Sequence, residues 1–231
     1  LFSTLMVFLG SVFSAVWIVV ANSWQQTPAG YHIVWHDVQG EMMPRAEVTD
    51  FWQMVLNPSS VDRLTHTLIG AIVLGAFFVA SVCSFYLLKH RHLAVARRCL
   101  SIALPSALLF TILAALTGHD SAQKLVETQP AKLAAMEAHF HSTDEPTGLY
   151  LFGWPDAKNE KVHFGVQLPY LLSVMVYNDP MKPVPGMDKI PEDERPPVWL
   201  PFQTFHLMVG IGTMMIVVAA LACWSWYRGS L

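Results

Sequence analysis

Four continuous apolar runs divide the chain. They cover about Leu1 to Val20, Ser59 to Leu88, Ala96 to Thr117 and Leu200 to Trp226. Each is long enough to cross a bilayer as a helix, which takes about 20 residues. None alternates apolar and polar positions as a barrel strand would. The pattern predicts an all-α fold: a polytopic membrane helix bundle with four transmembrane helices in this chain. A short helix is also expected at Asp50 to Leu56, stopped by Asn57-Pro58.

The polar stretches between the runs orient the bundle. KHRHLAVARR, with Lys89, Arg91, Arg97 and Arg98, joins the second and third runs, and Tyr227-Arg228 follows the fourth. With four spans these basic ends share a side, which the positive-inside rule makes cytoplasmic. The loop from Gln25 to Pro58 and the loop from His119 to Trp199 then face outward. Trp24, Tyr31, Trp52 and Trp199 cluster near the outer ends, as an aromatic belt would. Three segments are expected: 1–118 with three spans and a short outer loop, 119–199 as a long outer loop, and 200–231 as the fourth span. The long loop has about 80 residues where a few would connect two helices. Its apolar stretches Tyr150 to Trp154 and Phe164 to Tyr170 can pack, so it is expected to carry function.

Composition narrows the class. The chain of 231 residues is 53% hydrophobic and 13% charged, with a mean hydropathy of +0.40, too apolar for an ordinary soluble domain. The net charge of −3 gives no sign of a nucleic-acid partner. Cys83, Cys99 and Cys223 lie in or beside apolar runs without CxxC spacing and read as buried small hydrophobes. The chain starts at Leu1, inside an apolar run and without a charged leader, and reads as an internal piece of a longer protein.

Candidate chemistry starts inside the spans. His66 lies two turns into the second run and Met208 two turns into the fourth. At 1.5 Å per residue both sit roughly 10–12 Å below the outer helix ends. An ionisable residue at such depth is costly and is a functional candidate. Equal depth on two facing helices suits axial ligation of haem, and a His/Met pair gives a low-spin electron-transfer iron. Gly70 and Gly212 follow the two ligands by one turn on the same faces and leave space for a porphyrin. The bland alternative is a His that bonds a neighbouring helix, a Met that packs, and glycines that let helices approach. His206, with Gly210 one turn on, is a rival ligand that would make a bis-His haem. It lies about 200° around the helix from Met208, so only one of them faces a given partner. His32, His36, His90, His92, His139 and His141 read as solvated polar residues.

The long loop contains QPAKLAAMEAHF, Gln129 to Phe140, which reads as a short helix. Lys132 and Glu137 are about 140° apart on it and form no i,i+4 pair. An apolar side resting on the membrane or the bundle would leave them at two edges of a groove, suited to a two-ended polar ligand with an apolar tail. A solvated surface helix is the plain alternative.

These segments carry a resemblance. QPAKLAAMEAHF, LFGWPD and FGVQLPY resemble the quinol-binding loop of subunit I of cytochrome bd-type ubiquinol oxidases. VANSWQQTPAG, LNPSSVDRLTHTLIG around His66 and FHLMVGIG around Met208 continue the match in order. The resemblance implies His66 and Met208 as axial ligands of the low-spin haem b, and Lys132 and Glu137 as quinol-site residues. Arg63, one turn before His66, is a candidate propionate contact. The family pattern has Arg where this chain has His206. The loop is short, as in the cyanide-insensitive members. The family's earlier helices, with a His ligand of the high-spin haem, and its later helices, with a GRQPW segment, are not matched by this chain.

The resemblance implies a quinol:oxygen oxidoreductase of the bacterial inner membrane, with the loop on the periplasmic side. Ubiquinol or menaquinol would be oxidised there, and electrons would pass through haem b towards oxygen reduction to water. A second haem b and haem d belong to the complete subunit, with subunit II, a small accessory subunit and membrane lipid as partners. Proton-motive force would arise without pumping, and this piece alone is expected to be inactive. The residues also leave two other readings: a bis-His haem-b membrane anchor of another redox complex, and a non-redox transporter.

Overall fold

The computed structural model describes residues 1–229, which fall into two compact units, residues 1–71 and the chain from Ile72 onward. Four helices are long and apolar enough to cross a membrane. They are α1 (Phe2–Gln26), α3 (Ser60–Leu88), α4 (Leu93–Thr128) and α7 (Trp199–Tyr227). The bundle is helical, as the apolar runs predict. Two β-hairpins are added outside the four spans, which the sequence reading leaves as loop.

In the first unit, α1 continues past its apolar run through Asn22 to Gln26. The hydroxyl of Thr27 then donates to the carbonyl of Ser23 at 3.1 Å and to Oδ1 of Asn57 at 3.1 Å, tying the end of α1 to the turn before α3. Strands β1 (Tyr31–Val38) and β2 (Glu41–Val48) form the first hairpin. Its loop residues Gln39 and Gly40 both have positive φ, 60° and 92°, the two-residue turn that matches strand twist. The helix expected at Asp50 to Leu56 is α2 (Phe51–Val55), with Asp50 as its cap accepting from the Gln53 N–H at 3.0 Å.

In the second unit, the rest of α3 packs with α4 and α7. Ala76, Ala107 and Ala219 meet where the three helices approach, a small-residue contact typical of membrane bundles. Cys83, Cys99 and Cys223 are free thiols around a second cluster with Leu100 and Trp226. That cluster gathers the end of α3, the start of α4 and the end of α7, so the basic KHRH turn and Arg228 share one end of this unit. The third span differs from the expectation at its far end. The helix does not stop at Thr117 but runs to Thr128, through Gly118 and a polar stretch that holds no proline before Pro130.

The long loop is folded. It contains α5 (Pro130–Met136), β3 (Leu149–Asp156), β4 (Lys161–Leu168), α6 (Leu171–Tyr177) and 3-10 turns at Met187–Lys189 and Glu192–Glu194. Two apolar clusters lie on either side of α5. Ala134, Ala135 and Ala138 pack with Phe140, Met187, Val198 and Phe202. Leu133 packs with Leu172, Val176 and Val184.

Candidate functional site

The helix α5 is shorter than the QPAKLAAMEAHF stretch. Pro130 starts it, where a missing N–H costs nothing. It ends at Glu137 in a Schellman turn: the His139 N–H donates to the Ala134 carbonyl at 2.9 Å and the Ala138 N–H to the Ala135 carbonyl at 3.4 Å. Ala138 takes the left-handed position, φ 49°, usually given to glycine. The turn buries the residue before it: Glu137 is only 5% exposed, whereas Lys132 is exposed. The two are therefore not equivalent edges of one groove. Lys132 faces outward and Glu137 is turned into the protein.

Burial pushes the Glu137 carboxyl up to about 7, because a charge is poorly solvated there. Its Oε2 is buried and accepts no hydrogen bond among the described residues. The facing group is His206 on α7, whose Nε2 lies 3.9 Å from Oε2. That is beyond hydrogen-bond reach but close enough for an ion pair when the ring carries both protons. The His206 ring stacks on Phe202 with centroids 4.1 Å apart. Its Nδ1 is 2.8 Å from the Phe202 carbonyl and its Nε2 is 2.7 Å from the Tyr150 carbonyl.

The same face of α7 holds the second hairpin. Gln203 Nε2 donates to the Gly153 carbonyl at 2.7 Å, and Trp199 packs edge-on against Trp154 at 5.4 Å. Strand β3 thus runs along the first two turns of the span. Backbone groups near bilayer depth need protein partners, and Gln203 and His206 supply donors to the open edge of β3. The glycines of LFGW and FGVQ let the strands close up: a Cβ on Gly153 would collide with the Val162 side chain, and one on Gly165 would meet the Tyr150 ring at 2.8 Å. The sequence signal for this tether is two polar residues three apart in a span, Gln203 and His206, of which the sequence reading considers only His206, as a rival ligand.

A cavity of about 360 Å³ opens beside α5. Its polar lining is Gln129, Lys132 and Glu194, and its walls are Ala131, Ala135 and the prolines 130, 196 and 201. Such a volume is in the range of small-ligand sites, roughly 300–1,000 Å³. Glu137 lies two residues beyond Ala135, behind the wall.

The surrounding loop is fixed by buried polar bonds. The Thr147 N–H donates to Ser173 Oγ at 2.8 Å, and the Val184 N–H to Thr147 Oγ1 at 3.0 Å. The His139 ring meets the Val184 carbonyl at 2.9 Å, and burial holds its pKa below the usual histidine value. On its exposed side, His141 pairs with Glu160 at 3.1 Å.

The intramembrane candidates occupy separate units. His66 is half-buried on α3, with Arg63 half-buried one turn before it. Met208, on α7, is 57% exposed. A Cβ at Gly70, Gly210 or Gly212 would meet no atom within 4 Å. An imidazole and a thioether are each donors of the kind haem iron takes, and each is followed in its own helix by an open glycine position.

Comparison with known proteins gives the context. A family described as "Cytochrome bd terminal oxidase subunit I" matches residues 1–231. The cytochrome bd ubiquinol oxidase subunit 1 of Bacillus subtilis is 33% identical over 228 residues, which are 95% of this chain and 47% of that protein. The cytochrome bd-II ubiquinol oxidase subunit 1 of Escherichia coli is 34% identical over 193 residues, 84% of this chain and 36% of its own length. The bd oxidase structure from Geobacillus thermodenitrificans superposes with a TM-score of 0.79 at 33% identity, covering 96% of this chain and 48% of that one. The chain therefore spans about half or less of the length of these relatives. From the whole-chain match and the shared helical fold, this protein belongs to the cytochrome bd terminal oxidase subunit I family.

Proposed function

We propose that this chain is the electron-input part of the haem-bearing subunit of a bd-type quinol oxidase. A quinol, ubiquinol or menaquinol, binds beside α5 at the outer, periplasmic face. Lys132 donates a hydrogen bond to a quinol oxygen. Glu137, behind the Ala135 side of the cavity, accepts a proton leaving the quinol through an intervening water as its electrons depart. The observation that carries this reading is the Glu137 carboxyl: buried, raised to about 7 and lacking a hydrogen bond at Oε2. A general base works best when its pKa lies near the working pH.

Haem b, when bound, supplies a one-electron acceptor. His66 and Met208 would hold it, with Arg63 beside a propionate. That both His206 nitrogens already face backbone carbonyls favours Met208 over His206 as the second ligand. In the complete oxidase, with a second haem b, haem d and subunit II, oxygen is reduced to water with protons drawn from the cytoplasm. Release of quinol protons outward and uptake for water inward build proton-motive force without pumping.

The test uses the complete oxidase in membranes. Glu137→Ala should cut quinol oxidation while leaving the haem spectrum intact. Normal turnover by that variant would remove the quinol assignment. His66→Ala and Met208→Ala should each abolish the low-spin haem band. Loss of that band in His206→Ala with retention in Met208→Ala would reverse the ligand choice.

A further inference from the structure

The α5 cavity holds one charged group of each sign. Lys132 is on the helix, and Glu194 is on the 3-10 turn opposite. Glu194 is exposed, and its backbone is rigidly placed. Its N–H donates to the Pro191 carbonyl at 3.0 Å. The next residue, Arg195, clamps the turn with Nε on the Ile190 carbonyl at 3.0 Å and Nη1 on Glu160 Oε1 at 3.4 Å. Pro191, Pro196 and Pro197 restrict the backbone on both sides. A backbone placed in advance at the wall of a cavity leaves only the side-chain rotamers of Glu194 to be ordered on binding, which lowers the cost.

The two charges discriminate differently. An ammonium only donates and a carboxylate only accepts. Lys132 can therefore serve a hydroxyl oxygen or a carbonyl oxygen alike. Glu194 can bond a hydroxyl but not a carbonyl, and two acceptors set against each other leave both unsatisfied. Glu137 cannot make this distinction at the cavity, because its carboxyl is turned inward.

We propose that Glu194 is the specificity-determining residue of the α5 cavity, accepting a hydrogen bond from a ring hydroxyl so that the site prefers the reduced quinol to the oxidised quinone. The preference ejects product, since oxidation removes the hydrogen that Glu194 holds. The proposal rests on the reading of this cavity as the quinol site.

The experiment measures KM for a short-chain quinol and the inhibition constant of the matching quinone, using the complete purified oxidase. Glu194→Gln can donate to a carbonyl. It should raise the quinol KM about fivefold, the worth of one hydrogen bond of this kind, and tighten quinone inhibition. Glu194→Asp should keep the native preference, and the haem spectrum should not change in either variant. If the ratio of the two constants is unchanged in Glu194→Gln while Lys132→Ala raises KM, the Glu194 role falls and the cavity remains the quinol site. If neither Lys132→Ala nor Glu194→Gln alters KM, the cavity reading falls and the Glu194 role falls with it.

Discussion

The chain contains two hairpins of eight-residue strands, and they are built in opposite ways. The first pairs without interruption from Tyr31↔Val48 to Val38↔Glu41. Its odd-numbered β1 positions Tyr31, Ile33 and Trp35 share a face with Val48, Ala46 and Pro44, and none of its residues is buried. The second has register shifts between Tyr150 and Phe152 and between Phe152 and Trp154. It holds Phe164 at a positive φ of 52°, and it is bonded to α7 at Gly153 and Tyr150. The first hairpin follows its own alternation and turn. The second is bent by what it touches. Irregular backbone held by partners elsewhere is how proteins shape a site, and the second hairpin packs through Tyr150 and Val162 against the cluster that contains Ala135 and Ala138, the neighbours of Glu137.

The strongest way to break that contrast is to remove the group the second hairpin surrounds. Glu137→Gln keeps shape but not basicity, and quinol oxidation should fall about a hundredfold, the low end for a lost general base. In the native oxidase the rate should rise with pH through about 7, where Glu137 ionises, and Glu137→Gln should lose that rise. A flat native profile between pH 6 and 8 would sever Glu137 from the proton transfer.

Stability gives the next largest effect, with a definite sign. The Glu137 carboxyl titrates near 4.5 in its unperturbed state and near 7 when folded. Between those values the folded protein binds more protons, so its stability falls as pH rises. Above about pH 7 the buried charge costs up to roughly 3 kcal/mol. Glu137→Gln should therefore melt higher than the native oxidase at pH 8.5, and the gain should shrink at pH 5.5. A gain of equal size at both pH values would mean that packing, and not charge burial, sets it.

Ser173→Ala sharpens the comparison at lower cost. It leaves the buried Thr147 N–H without its 2.8 Å acceptor, worth about 1–3 kcal/mol. The folded loop should loosen around Thr147, Val184 and α6, read as faster amide exchange there. No equivalent buried bond exists within the first hairpin, where the His36–Glu47 pair is about two-fifths exposed on both sides. Glu47→Ala should change stability by less than about 1 kcal/mol.

The four spans were legible because a bilayer imposes one length and one polarity on every helix that crosses it. The end of α4 was not, because the helix continues through Gly118 into a polar stretch that the apolar pattern does not mark, and the next proline is Pro130. The hairpins were harder. The alternation in YHIVWHDV is short beside the spans, and the bulged β3 has no clean period to read. Lys132 and Glu137 were first singled out as two edges of a groove, and the family motif made them quinol-site candidates. The Schellman turn that buries one and exposes the other depends on Ala138 adopting a conformation its sequence does not favour. Gln203 and His206 stood in plain view as polar residues in a span, but their partners are backbone carbonyls, which no sequence pattern marks. The transporter reading and the anchor of another redox complex, open from His66 and His206, are set aside by the family assignment, which leaves the choice between His206 and Met208 to experiment.

The smallest expected effect lies in the first hairpin. The N–H groups of Thr49 and Asp50 both donate to the Gly30 carbonyl, at 2.8 and 3.1 Å, so the chain ends flanking residues 31–48 are already side by side. Replacing those residues with a two-residue linker asks little of the backbone and shortens a loop, which lowers the closure cost. The haem spectrum, quinol KM and turnover of the complete oxidase should then stay within about twofold of native. The contrast fails if the deletion costs activity. In that case the exposed face of Ile33, Trp35 and Met42 would have a covering partner in the whole assembly, and regular geometry would no longer mark a hairpin as dispensable. Trp35→Ser, which spoils that face without touching the backbone, separates the two: a loss matching the deletion assigns the role to the apolar surface, and no loss assigns it to the turn.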